Sequence, residues 1–218
     1  QTVASKLTFM GGNAVIKAAE NMIRQMKEVA AQEFRCDASK LTHGDGYIYH
    51  VHHPHKRLSY GSLARGYSYE NGNAIGGVII GRGTYIADGL TNLDKDTGEG
   101  LPALVWTYGA HGVDLEVDLE TGDVHILKVA SAFDVGRVIN KKLTEGQIMG
   151  GVLQGIGSAL SEGLKFNAEG KLLNPTFTDY KIPTAKDMPD EIVPILIENP
   201  QADGPFGARG VGEHPMIS

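Results

Sequence analysis

Cysteine is almost missing from this chain of 218 residues, which carries Cys36 and no other. One thiol excludes an internal disulfide, and without a second cysteine the chain has no Cys pair to bind zinc or an iron–sulfur cluster by itself. Any such cluster is expected on another chain. Long apolar runs are missing too: none reaches the roughly 20 residues that a membrane span needs. The opening QTVASKLTFM has neither the basic start nor the apolar stretch of a signal peptide. Those absences lead to the expectation of a cytoplasmic protein. Basic stripes are lacking as well, with 20 Lys and Arg against 26 Asp and Glu and a net charge of −6, so a phosphate backbone has nothing to follow and nucleic acid is discounted. The chain also lacks an initial Met and stops soon after its most suggestive motif, GPFGARGVGEHPMIS. It is therefore expected to be a fragment or one piece of a split subunit.

What is present in quantity is glycine, 29 residues of 218, nearly twice the usual share of about 7%. No short repeat accompanies it, so close backbone approaches explain it better than a fibrous or disordered chain. An apolar content of 41% is enough for a real core.

Several elements follow from periodicity. Between Asn13 and Phe34, Val15, Ala18, Ala19, Met22, Met26, Val29 and Ala30 recur every three or four residues, which predicts an amphipathic helix. Tyr47–Val51 reads as a short strand, and a short helix is expected from Ser59 to about Gly66. HVHHPHKR between them reads as a loop. Its histidines, His50, His52, His53 and His55, tempt a metal-site reading. Pro54 breaks any helix that would set two of them one turn apart, so the reading favours a solvated loop. Residues 71–96 read as strand and loop around Val78–Ile80. In GVDLEVDLETGDVHILKVA, Val113, Leu115, Val117 and Leu119 alternate with acids before a turn at ETGD, which predicts a β-hairpin. From Thr144 to Leu164 an apolar stripe of Ile148, Val152, Ile156, Leu160 and Leu164 predicts a helix that also holds Gly146, Gly150, Gly151, Gly155 and Gly157. Each glycine costs about 1 kcal/mol relative to alanine, so this helix needs tight packing. The rival of a glycine-packed membrane helix is opposed by Gln147, Gln154 and Glu162. EIVPILIE reads as a strand that leads into the closing glycine loop.

Taken alone, GARGVG is a weak anion-binding signal: its glycines run G-x-x-G-x-G, the reverse of the dinucleotide fingerprint, and no Lys-Ser or Lys-Thr follows. Glu213, which comes next, would be unwelcome beside a phosphate. In a partly dry pocket it would make a general base, because burial raises a carboxyl pKa. From this stretch by itself a solvated loop acid is the favoured reading.

The combination of motifs carries more. TVAS, DVGRVIN followed by EGQIMGGVLQGIGSALSEGL, FTDYKIPTAKDMP and GPFGARGVGEHP occur in this order from Thr2 to Pro215. In that order and approximate spacing the chain resembles the molybdenum-cofactor-binding subunit of the xanthine dehydrogenase and aldehyde oxidoreductase family, the molybdenum hydroxylases. The resemblance implies an α+β fold of mixed sheets with packed helices, with residues 1–218 as the C-terminal part of a molybdenum-cofactor-binding domain. It implies that Glu213 is the general base, that Gln147 hydrogen-bonds the pterin, and that Ala4 and Ser5 line the molybdenum site. Gly210 and Gly212 would let backbone approach the cofactor, and no side chain would ligate the metal. The cofactor would be a molybdopterin, as the cytosine dinucleotide in a bacterial source. Iron–sulfur and flavin groups would sit on partner chains, and the upstream half of the domain would complete the pocket. The implied reaction is hydroxylation of an electron-poor carbon in an N-heterocycle of purine or nicotinate type, or in an aldehyde, with oxygen from water. The chain departs from the family pattern at Lys6 and Leu7, at Lys141, and at His214, whose side chain would either tune the base or face solvent, with solvent the favoured reading. The rival reading is a non-catalytic assembly module whose glycine helix and glycine loop pack on partner subunits.

Overall fold

The computed structural model describes residues 5–217. The fold is α+β, as expected, and it divides into two compact units, Met10–Ile86 and Gln1–Phe9 with Ala87–Ser218.

The first of these units is built on α1, Gly12–Phe34. Its predicted apolar stripe buries Met26, Val29 and Ala30, together with Ala31, against Leu41, Ile48 and Leu63, whereas Val15 at the other end of the stripe stays exposed. The helix ends at Arg35, which takes a left-handed conformation. Three antiparallel strands follow in the order β1 Leu41–Gly44, β2 Tyr47–His50 and β3 His53–Ser59. Strand β3 corrects the loop expected across HVHHPHKR. Pro54 is tolerated because β3 is an edge strand and Pro54 is only its second residue. The short helix α2, Tyr60–Leu63, is capped by the Ser59 hydroxyl, which accepts from the Ser62 N–H at 3.1 Å. A two-stranded ribbon, β4 Tyr67–Ser68 and β5 Ala74–Ile75, comes next.

Val78–Ile80 does not form the expected strand. Its backbone bonds go elsewhere than a ladder: the Ile79 N–H donates to the Ala64 carbonyl at 3.0 Å, Gln25 Nε2 of α1 donates to the Ile80 carbonyl at 2.9 Å, and just beyond the stretch the Arg82 N–H donates to Asn21 Oδ1 at 3.2 Å.

In the other unit, β6 Gly109–Val117 and β7 Val124–Asp134 form the predicted antiparallel hairpin. Its turn is tied by Asp118 Oδ1, which accepts from the N–H groups of Glu120 and Thr121. Strand β8, Glu191–Ile197, adds to β7 in parallel, with Lys128 opposite Glu191 and Asp134 opposite Ile197. Between them runs α3, Lys141–Leu160, which starts earlier and ends sooner than the stripe suggested. Asn140 sets the start, its Oδ1 accepting from the Leu143 N–H at 3.1 Å. Ile148 and Val152 pack with Val129, Phe133 and Val135 of the sheet side to form this unit's core.

Candidate active site

Strand β7 ends at Asp134 and the chain turns through Gly136 towards α3, while the closing loop passes across the same place. The two stretches are joined by backbone bonds, from the Arg209 N–H to the Val135 carbonyl at 2.9 Å and from the Arg137 N–H to the Gly207 carbonyl at 2.9 Å. Beneath them Asp134 and Arg209 form an ion pair at 3.5 Å between Nε and Oδ2, with side chains only 9% and 10% exposed. Asp134 also accepts from the Gly136 N–H at 3.0 Å and from Asn199 Nδ2 at 3.4 Å. Arg209 gives Nη1 to the Trp106 carbonyl at 2.7 Å. A buried carboxylate and guanidinium hold the loop because each has further partners.

On this base lies a cavity of about 560 Å³ lined by Ser5, Arg137, Asn140, Gln147, Gly212 and Glu213, among others. Gln147 projects from α3, and its Nε2 donates to the Gly212 carbonyl at 2.7 Å. The next peptide N–H, that of Glu213, donates to the Ser5 hydroxyl at 3.0 Å. Ser5 has φ 54°, a left-handed conformation that a non-glycine residue adopts seldom and at a cost. The glycines make room for it. A Cβ on Gly210 would collide with the Ser5 carbonyl, and one on Gly212 would stand 3.0 Å from the Ser5 hydroxyl. Bare backbone around Glu213 therefore admits a segment from the far end of the chain.

Four of the residues singled out from sequence, Ser5, Gln147, Gly212 and Glu213, line this one cavity, and Gly210 packs directly on Ser5. Ala4 lies outside the described residues. The Glu213 side chain is exposed at the cavity wall. Arg137 was missed: it stands in DVGRVIN, a stretch that carries the resemblance, and it brings an exposed cation to the lining. Its signal was a lone Arg just before a helix cap, which no rule of spacing marks.

His214 corrects an expectation. It is not directed to solvent: its ring meets Phe133 edge-on at 4.8 Å between centroids, and its Nε2 is buried without a hydrogen-bond partner among the described residues. His111 makes a similar contact with Phe133 at 5.0 Å, and its Nδ1 pairs with the Ser131 hydroxyl at 2.9 Å. Burial lowers the pKa of both imidazoles, and for His214 the nearby His111 lowers it further. The apolar face of Phe133 was the attraction, and the sequence neighbourhood of His214 gave no sign of it.

The glycines of α3 divide by surroundings. Gly151 is buried, and a Cβ there would come within 2.6 Å of Pro215, in the turn that follows Glu213. Gly146 and Gly150 face open space. The helix and the closing loop are thus fitted to each other within this chain. Among the described residues no group of three or more His, Cys, Asp or Glu is arranged to hold a metal ion, and no helix is long and apolar enough to cross a membrane.

The chain matches the family model of the molybdopterin cofactor-binding domain over residues 1–189. It is 31% identical to the aldehyde oxidoreductase of Megalodesulfovibrio gigas over 98% of its own length and 20% of the relative's. It is 29% identical to the large subunit of nicotine 6-hydroxylase from Paenarthrobacter nicotinovorans over 100% of its length and 25% of the relative's. Its fold superposes on the quinoline 2-oxidoreductase of Pseudomonas putida 86 with a TM-score of 0.74 at 27% identity, covering 99% of this chain and 26% of the other. The chain thus spans between a fifth and about a quarter of these relatives. With its motifs in family order and a family match across most of its length, the chain belongs to the molybdopterin cofactor-binding domain family of the molybdenum hydroxylases.

Proposed function

We propose that this chain supplies one wall of a molybdopterin site in which Glu213 acts as the general base of a hydroxylation. The observation that carries the reading is the pair of bonds joining Gln147 to Gly212 and Glu213 to Ser5, which draw three separate stretches of chain onto one cavity. The cavity suits such a group: its volume lies in the range of about 300–1,000 Å³ common for ligand sites, and hydroxyl, amide and guanidinium groups surround it. Gln147 spends one of its two amide N–H groups on Gly212, so its carbonyl oxygen and its second N–H would meet the pterin. Ser5, with Ala4 before it, would present its O–H, and Gly210 and Gly212 would keep the backbone bare. Arg137 would meet an anionic part of the cofactor.

When bound, the molybdenum cofactor supplies the two-electron redox chemistry. Glu213 does the protein's part, taking a proton at a carboxylate oxygen as the oxygen of water joins the substrate carbon. Overall, a C–H bond and one water give a C–OH bond, two protons and two electrons. Iron–sulfur and flavin groups on partner chains would take up the electrons. Relatives bear on the substrate class, since one is an aldehyde oxidoreductase and two are named for nicotine and quinoline. The substrate is accordingly an aldehyde or an N-heterocycle; for a bacterial source the cofactor takes the cytosine dinucleotide form, and the enzyme works in the cytoplasm. Residues 1–218 form the C-terminal part of the cofactor domain, whose upstream half closes the site.

The test is Glu213→Gln in enzyme purified with its native partners and assayed with aldehyde, purine and nicotinate. Molybdenum and pterin content should hold while turnover falls by at least about 10²-fold, the usual loss with a general base. Near-normal turnover at full molybdenum occupancy would remove Glu213 from this role.

A further inference from the structure

We infer that His50 and His53 form a two-imidazole chelate for a first-row divalent cation such as Zn²⁺ or Cu²⁺, at the tip of the β2–β3 hairpin. Pro54 argued against a metal only so long as a helix was needed to bring two histidines together. A hairpin does it differently. The register of β2 on β3 shifts at Tyr49 and His50, which sets His50 directly opposite His53. Residues opposite each other on antiparallel strands hold their Cβ atoms within about 5.5 Å, close enough for two short ligands to share one ion.

The rings have the right separation. Their centroids are 5.0 Å apart with planes inclined at 40°. A divalent ion bound about 2.0–2.1 Å from one nitrogen of each ring, at an angle between square and tetrahedral, needs centroids about 4.5–5.2 Å apart. Imidazole suits zinc, copper and nickel, and two protein ligands leave the remaining positions to water. His52 and His55 stand further off, at 6.1 Å from His50 and 5.9 Å from His53 respectively. That agrees with the lack of any three-ligand cluster among the described residues.

In the free chain the His50 Nδ1 lone pair accepts from the His52 N–H at 3.2 Å. This bond is long and lies at an exposed turn, so a cation displaces it and leaves the amide to water at small cost. The ring keeps its Nε2 proton and none need be released. The pKa of His50 is lowered, first by burial and then by the charges of His53, His52, Lys40 and Lys56, which favours the neutral ring that a metal requires. Lys40 and Lys56 also repel a cation, so binding should tighten modestly as salt screens them.

Titration of the full chain with Zn²⁺, by calorimetry, and with Cu²⁺, by electron paramagnetic resonance, tests the site. One equivalent should bind saturably, more tightly at higher pH, with hyperfine coupling from two nitrogens. His53→Ala and His50→Gln should each weaken binding by about 10–100-fold, the loss typical even for a residue that only supports a ligand. His55→Ala and His125→Ala should leave it unchanged. Three outcomes would overturn the assignment: affinity retained in the His50→Gln, His53→Ala double variant; no saturable binding; or tighter binding of phosphate than of Zn²⁺ with affinity rising at lower pH, which would make the patch an anion site.

Discussion

Glu213 and Ser5 are 208 positions apart in the chain and are joined by one hydrogen bond, from the Glu213 N–H to the Ser5 hydroxyl at 3.0 Å. The bond sets where the peptide of Glu213 lies, so the position of the carboxylate depends on a residue at the opposite end of the chain. Ser5→Ala removes the acceptor and leaves the N–H without its partner. A bond of this kind contributes about 1 kcal/mol, which predicts amide exchange at Glu213 roughly fivefold faster in the variant, read by NMR or mass spectrometry. Exchange at an unchanged rate would mean that the loop is held by Gln147 and the Arg209 backbone alone.

Two neighbouring glycines of α3 should respond to alanine with opposite signs. At Gly150 a methyl group meets nothing within 4 Å, so the gain in helix propensity of about 1 kcal/mol stands unopposed. At Gly151 the same methyl lands 2.6 Å from Pro215, and overpacking of this kind costs typically about 1–3 kcal/mol. Urea unfolding of the two variants checks the contrast. In the assembled enzyme Gly151→Ala should also lower cofactor retention, because the turn it displaces follows Glu213.

How much of this was legible depended on whether the governing contact was local. The long helix, the β6–β7 hairpin and α3 follow from runs of apolar residues at regular spacing, and each formed close to its expected place. Strand β3 did not look like one because Pro54 and two histidines, His53 and His55, mask it, and only its place at a sheet edge makes Pro54 harmless. Val78–Ile80 looked like a strand and is not, since its Ile79 N–H goes to the Ala64 carbonyl and its Ile80 carbonyl to Gln25, 55 residues away. The parallel pairing of β8 on β7 is equally non-local. In the candidate site, motif resemblance named Glu213, Gln147 and Ser5, but the bonds that link them join distant parts of the chain. Arg137 and His214 owe their positions to the folded surface alone.

The buried pair of Asp134 and Arg209 carries a third prediction. Arg209→Ala takes the guanidinium from a carboxylate that is 9% exposed, and breaking such a pair costs about 3–5 kcal/mol. The low end, near 3 kcal/mol, is expected because Asp134 keeps the Gly136 N–H and Asn199 as donors. The loss should appear as a lowered urea midpoint, with unchanged slope. A loss below about 1 kcal/mol would show that the ion pair, whose separation of 3.5 Å lacks hydrogen-bond geometry, adds little to the two remaining bonds.

The two imidazoles in contact with Phe133, His111 and His214, predict a pH dependence whose sign is set by burial. Both have a pKa below the ordinary value of 6.5, so the native state holds them neutral. The unfolded chain takes up protons as pH falls through that ordinary value, whereas the folded chain resists until its lower values are reached. Stability contributed here is therefore complete above the ordinary value and lost progressively as pH falls from there to the native-state values. His214 should dominate, because it is pushed by burial and also by His111. Unfolding free energies measured between about pH 8 and pH 5 should fall on the acid side in the wild-type chain, and part of that slope should vanish in His214→Leu, which keeps the contact with Phe133 and cannot be protonated. Leu also removes a buried nitrogen that has no partner among the described residues, so at neutral pH the variant should be at least as stable as the wild type. An unchanged acid slope in this variant would place the pH dependence on other groups, with the exposed carboxylates of the chain as the first candidates.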